Sequence, residues 1–181
     1  MTREELQIQS LSLIKRSSRI ALQWCTGLGK SRAAIEIANY LADKEFEECE
    51  EALNVLLVVA ETAHKSNWRA EFEKWNLKTN HVAIECYASL DKYRDSYWDL
   101  VIFDEAHHLG TDLKIDILNE LHVKNVVLLS ATLPDQIMQA VSGVFGEFEI
   151  SKVSLKQAIE WGILPEPKVY LIPLTLDNTY P

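Results

Sequence analysis

The sequence predicts a parallel α/β domain with helices on both faces of its sheet. Two observations carry that expectation. Short runs such as Val55–Ala60 and Asn125–Ser130 are apolar at nearly every position, and stretches with helical apolar spacing separate them. Strands apolar on both sides are covered on both sides, and their alternation with helices of about ten to fifteen residues is the pattern of βαβ units. At 181 residues the chain has the size of one domain, 1–181.

Each element can be justified in turn. Leu6–Lys15 places Leu6, Leu11, Leu13 and Ile14 at helical intervals. Arg19–Trp24 reads as a strand, and Ser31–Phe46 as a helix with Ala34, Ile35, Ala38 and Leu41 on one face. The most charged stretch, Asp43–Glu51, reads as the solvated end of that helix and the loop after it. Strand Val55–Ala60 leads to a helix over Ala63–Trp75, then to strands over His81–Cys86 and Leu100–Asp104. A helix over Thr111–His122 carries Leu113, Ile117, Leu118 and Leu121 on one side. After Asn125–Ser130 comes a short helix, Pro134–Val141, with proline in its first turn. The helix Ser154–Trp161 stops at Gly162 and Pro165, and Lys168–Pro173 is a last strand.

Composition excludes several classes. Apolar residues are 48% and charged residues 25%, which rules out a mainly disordered chain. The longest apolar run, Val55–Ala60, is far too short to span a bilayer, and MTREELQIQS has no secretory core segment. The expectation is a cytoplasmic protein with no membrane partner. Three cysteines (Cys25, Cys49, Cys86) without CxxC spacing argue for a reducing compartment and against a structural metal cage. A net charge of −9 makes the surface as a whole repel nucleic acid, so such a partner would meet a local patch.

Ligands of parallel α/β folds sit outside the carboxyl ends of the strands, so the residues that follow each apolar run matter most. Arg19–Trp24 is followed by Cys25-Thr26-Gly27-Leu28-Gly29-Lys30-Ser31, which opens a helix. The two glycines let backbone amides approach a polyphosphate. Lys30 adds a mobile cation for the outer phosphates, and Ser31 a hydroxyl for magnesium. A strict Walker pattern needs glycine at position 24, where this chain has Trp24; the plain alternative is a glycine turn with an incidental lysine. Leu100–Phe103 runs into Asp104-Glu105-Ala106-His107. Paired carboxylates at a buried strand end are expensive unless they meet a cation or water. In a phosphate site the first would hold magnesium and the second orient an attacking water. Taken alone, the four letters also fit a solvated strand end.

Asn125–Leu129 ends in Ser130-Ala131-Thr132, whose hydroxyls can link neighbouring sites through short hydrogen bonds. Val55–Val59 leads to a helix start carrying Thr62, His64 and Lys65, with Arg69 further along. Hydroxyl, imidazole and ammonium groups at a helix start suit a phosphodiester backbone; the alternative is an ordinary helix capped by Thr62.

With these residues in view, the chain resembles the first RecA-like domain of superfamily-two helicases and translocases of the DEAD/DEAH-box type. CTGLGKS, DEAH (Asp104–His107) and SAT (Ser130–Thr132) carry the resemblance, in order and across nearly the whole chain. EFEKW (Glu71–Trp75), YASLDKY (Tyr87–Tyr93, with Ser89) and LKQAIEWGILPEPKVY (Leu155–Tyr170) resemble further family segments. The family tolerates the missing first glycine. The resemblance implies a three-layer P-loop NTPase fold, with the P-loop strand beside the SAT strand and the DEAH strand next outward.

It also implies ATP and Mg²⁺ as ligands and DNA or RNA as partner. Thr26, Gly27, Leu28, Gly29, Lys30 and Ser31 would hold the phosphates, and Gln7 (with Gln9 second) would read adenine. Ser31 and Asp104 would complete the magnesium shell, and Glu105 with Lys30 would be catalytic. His107, Ser130 and Thr132 would couple hydrolysis to movement; Thr62, His64, Lys65, Arg69 and Ser89 would touch nucleic acid. Family members hold ATP between two RecA-like domains, so a second such domain, in cis or in trans, would complete the site. Two other roles stay open: a duplex-DNA translocase lobe of a restriction or remodelling complex, and a non-catalytic nucleotide-sensing module.

Several residues have plainer readings. Cys25 at a helix start is a small residue filling a tight loop, or else a thiol of lowered pKa acting as a redox brake. His107 and His108 lack further ligands at zinc spacing, and His107 is expected to bond Ser130 or Thr132. Trp68, Trp75, Trp98 and Trp161 are expected to pack in the core or between domains rather than stack bases. Lys15, Arg16 and Arg19 either touch nucleic acid or form a solvated helix end.

Overall fold

The computed structural model describes residues 1–110, 112–168 and 170. Six strands form one sheet in the order β3-β2-β4-β5-β1-β6, and every pairing is parallel. The strands are β1 (Arg19–Trp24), β2 (Val55–Val59), β3 (Val82–Cys86), β4 (Tyr97–Asp104), β5 (His122–Ser130) and β6 (Glu149–Val153). The helices are α1 (Arg3–Ile14), α2 (Lys30–Cys49), α3 (Thr62–Lys74), α4 (Asp112–Asn119), α5 (Asp135–Phe145) and α6 (Leu155–Glu160). Short 3₁₀ turns cover Tyr87–Tyr93 and Ala106–Leu109.

The period of two along each strand divides the core in two. Leu57 and Val59, Leu100 and Ile102, and Val127 and Leu129 face a cluster that contains Leu6, Ile35 and Trp68 from α1, α2 and α3. Leu56 and Val58, Val101 and Phe103, and Val126 and Leu128 face the other side, with Leu118 of α4 and Val141 of α5. All five residues of β2 are buried, as a strand covered on both faces requires. The three-layer α/β expectation holds, including the P-loop strand β1 beside β5 and β4 next outward.

Some boundaries move for local reasons. A capping box (Thr2 Oγ1 accepting from the Glu5 amide at 3.1 Å, Glu5 Oε2 from the Thr2 amide at 2.8 Å) starts α1 at Arg3. The charged stretch expected as helix end and loop is helical through Cys49. Thr62 does not cap α3: Glu61 holds the cap position and Thr62 is already helical. Pro134 likewise precedes α5 rather than entering its first turn. Strand β6 was not expected; its alternation of exposed and buried residues is that of an edge strand, short and rich in polar residues. The start expected at Thr111 and most of the expected strand Lys168–Pro173 lie outside the described residues. Among the described residues, no helix is long and apolar enough to cross a membrane.

Arg19 is not part of a solvated helix end. It begins β1, and its guanidinium donates to the carbonyls of Phe145 (3.0 Å), Ser18 (3.0 Å), Lys124 (2.6 Å) and Val123 (3.1 Å). Arg16 pairs with Glu149 at 2.8 Å, and Lys15 lies over the Tyr40 ring. Arg19 thus ties the start of β1 to β5 and to the end of α5. Arg19→Ala should cost about 2 kcal/mol of stability, since several carbonyls lose a charged donor at once. Urea unfolding checks this; a loss within experimental error would show that water replaces the guanidinium at no cost.

Candidate functional site

The carboxyl ends of β1, β4 and β5 come together because the pairings are parallel and the registers coincide. Gln23 of β1 stands opposite Ser130 of β5, and Asp104 of β4 opposite Leu129. The P-loop, the acidic pair and the SAT segment therefore leave the sheet side by side. Between them and α1 and α3 lies a cavity of about 680 Å³. It is lined by Gln7, by Thr26 through Ser31, and by Asp104 and Glu105. The residues that sequence reasoning gave to nucleotide and magnesium thus share one cavity.

The P-loop is shaped by its glycines. Gly27 (φ +91°) and Gly29 (φ +86°) occupy the left-handed region, which favours residues without a Cβ. A Cβ on Gly29 would come within 3.1 Å of Gln7 Nε2. Trp24, where a strict Walker motif has glycine, is the last residue of β1. Its indole is fully buried and donates to Ser151 Oγ at 2.9 Å, so that position belongs to the core. Lys30 Nζ donates to the Trp24 carbonyl at 2.9 Å. Burial pushes the Lys30 ammonium below its ordinary range, while Glu105 and Asp104 draw it back up.

Gln7 is 3% exposed and donates from Nε2 to the Gly29 carbonyl at 3.3 Å, while its Oε1 is buried without a partner. A buried acceptor left open beside a P-loop fits a ligand that brings an N–H group.

Asp104 ends a strand whose six preceding residues are buried. Burial pushes its carboxyl above the usual range, and Glu105 adds to the rise. Donors from Trp68 and the Glu105 amide, with His64 nearby, work against it. Glu105 has φ +50°, a left-handed conformation uncommon for a non-glycine residue. Its Oε2 lies 3.3 Å from His107 Nδ1, which is also 3.1 Å from Ser130 Oγ. Ser130 Oγ donates to the Thr132 carbonyl at 2.7 Å and accepts from the Thr132 amide at 3.3 Å. His107, Ser130 and Thr132 thus form a polar chain from Glu105 across to the end of β5. Ser31, Asp104 and Glu105 bring to the cavity oxygen atoms of the kind a hard cation takes. Among the described residues, no group of three or more His, Cys, Asp or Glu converges on a metal position.

The residues expected at nucleic acid divide. His64 lines the cavity beside the P-loop, with Nδ1 buried and without a partner. Thr62 is exposed, with its hydroxyl 3.7 Å from Cys86 Sγ. Lys65 pairs with Glu85 at 3.1 Å, and the same carboxylate takes Lys92 at 2.7 Å. Both lysines hold Glu85 below the usual carboxylate range. Ser89 lies half-buried in the 3₁₀ turn that follows β3, and Arg69 is exposed further along α3.

Sequence reasoning missed three contacts. Trp68 Nε1 donates to Asp104 Oδ2 at 2.8 Å, and Tyr87 Oη donates to the Asp104 carbonyl at 2.9 Å. Trp75, beneath the Arg32 guanidinium at 4.5 Å, helps to wall the cavity. Helical spacing marks Trp68 as core, which it also is; nothing in the spacing points to its donor.

The model of the type III restriction enzyme res subunit matches residues 2–96, just over half of the chain. The chain belongs to this family. No curated protein matches it. Among solved structures it is similar to the SWI2/SNF2 ATPase core of Sulfolobus solfataricus in complex with dsDNA (17% identity, TM-score 0.62), covering 78% of this chain and 35% of that one. It is also similar to the UvsW helicase from bacteriophage T4 (18%, 0.63), covering 80% and 58%. A third is a nuclease-deletion mutant of the type ISP restriction-modification enzyme LlaGI in complex with a DNA substrate mimic (14%, 0.61), covering 89% and 20%. At such identities the likeness is one of fold, that of a RecA-like three-layer α/β domain. The res-family chain spans less than two thirds of each of these structures.

Cys25 decides one alternative. Burial raises its thiol pKa, with the Lys30 charge opposing. A raised value means less thiolate at neutral pH, which favours the small residue filling a tight loop over the redox brake. Alkylation followed by peptide mass mapping should label exposed Cys49 before Cys25, and the Cys25 rate should climb only above the ordinary thiol range. Fastest labelling at Cys25 would reverse this assignment.

Proposed function

We propose that this chain is the ATP-binding lobe of a nucleic-acid motor, coupling ATP hydrolysis to unwinding or translocation on DNA or RNA. The single observation behind this reading is the shared cavity: Lys30, Gln7, Asp104 and Glu105 line one space at the carboxyl edge of the sheet. The open Gln7 Oε1 would accept the exocyclic amine of adenine. Backbone amides of Thr26 to Ser31 would take the phosphates, and Lys30 would neutralise the outer ones. Ser31 and Asp104 would hold magnesium, whose positive charge would help to neutralise the phosphates.

Glu105 would orient the attacking water and accept its proton. Its left-handed backbone aims the carboxylate beside His107 rather than along the strand. His107, Ser130 and Thr132 would carry the state of Glu105 toward the next element of the motor. A second RecA-like domain, in cis or in trans, would supply the outside cations; an arginine finger is worth about 10³–10⁵ in rate. Further along the same carboxyl edge, beyond β2 and β3, Thr62, Lys65, Arg69 and Ser89 would contact phosphodiester backbone. Each phosphate neutralised by Lys65 or Arg69 would add about 0.9 to the salt slope of that contact.

A second reading, the duplex-DNA translocase lobe of a restriction complex, is favoured by the family to which residues 2–96 belong. ATPase stimulation by single-stranded DNA, duplex DNA or RNA separates unwinding from translocation.

Lys30→Ala should abolish ATP binding measured by calorimetry. Glu105→Gln should keep binding and lose turnover, and the 181-residue chain alone should turn over well below ~1 s⁻¹ without an outside arginine. Turnover near ~1 s⁻¹ that is lost in Lys30→Ala would show that the lobe needs no second half. Function untouched by Glu105→Gln would favour the nucleotide-sensing module instead.

A further inference from the structure

Trp68 is the one buried residue of α3, and its indole reaches out of the core to a carboxylate. Nε1 donates to Asp104 Oδ2 at 2.8 Å, while the Glu105 amide donates to Asp104 Oδ1 at 3.1 Å. Each carboxylate oxygen therefore has one donor from the protein, and together they determine the plane of a group whose terminal torsion is otherwise broad. The indole is itself held by the Phe72 ring, 5.7 Å away between centroids. His64, one helical turn earlier, lines the same cavity. Core packing alone calls for an apolar ring at position 68 and gives no reason for a donor aimed at the end of β4.

We propose that Trp68 is a positioning residue for the cation site, orienting the Asp104 carboxylate through its indole N–H and so tying helix α3 to the metal–nucleotide cavity. This rests on the reading of the cavity as a nucleotide site. Groups that orient a metal-binding carboxylate from behind change metal affinity by about 10–100-fold when removed. The tie also runs in reverse: a cation seated at Asp104 acts through the indole on α3, whose first turn carries Thr62 and Lys65.

Trp68→Phe keeps an aromatic ring beside Phe72 and removes the donor, at the cost of a smaller ring. The test titrates the 181-residue chain with N-methylanthraniloyl-ATP in EDTA, then with Mg²⁺ at saturating nucleotide. The variant should bind metal-free nucleotide within about twofold of the parent and need about tenfold more Mg²⁺, or beyond, for half its effect. In the parent, the Trp68 indole ¹⁵N–¹H resonance, assigned by its Overhauser contacts to Phe72, should shift when Mg²⁺ is added and not when metal-free nucleotide is added. That second measurement decides the matter even if Trp68→Phe folds poorly. Equal Mg²⁺ requirement in a folded variant, or an indole resonance indifferent to Mg²⁺, overturns the assignment and leaves the nucleotide reading standing. A parent chain that binds no nucleotide with or without Mg²⁺ overturns both.

Discussion

The site depends on charges brought to the edge of a dry sheet. Six buried residues lead β4 to Asp104, and burial resists ionisation of both Asp104 and Lys30, raising one and lowering the other. Neither closes onto the other as an ion pair: Lys30 bonds the Trp24 carbonyl, and Asp104 takes the indole of Trp68 and the amide of Glu105. A cavity thus stays open between them, where partly desolvated groups interact with an incoming charge more strongly than they would in water. Loops alone would not hold opposed charges at that separation; the parallel register of β1, β5 and β4 does.

The same edge carries a path away from the cavity. Glu105 turns into the left-handed region directly after the strand, which brings its carboxylate to His107. His107 in turn meets Ser130, whose hydroxyl is shared with both the amide and the carbonyl of Thr132. Four polar groups on two neighbouring strand ends are therefore linked with little freedom at each joint.

Beyond the cavity, the basic side chains are largely spoken for. Lys65 and Lys92 share Glu85, Lys124 pairs with Glu45, and Arg19 is consumed by backbone carbonyls. On a chain of net charge −9, this leaves little field to attract a polyanion from a distance. Contact with a phosphodiester backbone would then rest on short-range donors such as the Thr62 hydroxyl and the exposed Arg69 at the β2–β3 end of the sheet.

Apolar runs, glycines and acids were enough to determine the layers, the parallel sheet and the strand ends where chemistry would gather, because buried strands and turns needing positive φ leave local marks. Strand β6 escaped for the opposite reason: an edge strand is half solvated, and Glu149, Ser151 and Lys152 dilute its apolar pattern. Trp24 read as a broken motif until the sheet showed its indole buried against Ser151, and Arg19 read as surface charge until its carbonyl partners came from β5 and α5. The turn of His64 toward the cavity and the reach of Trp68 to Asp104 were decided only by tertiary structure. Helical spacing says which residues share a face, but which atoms meet depends on how α3 lies across strands dozens of residues away.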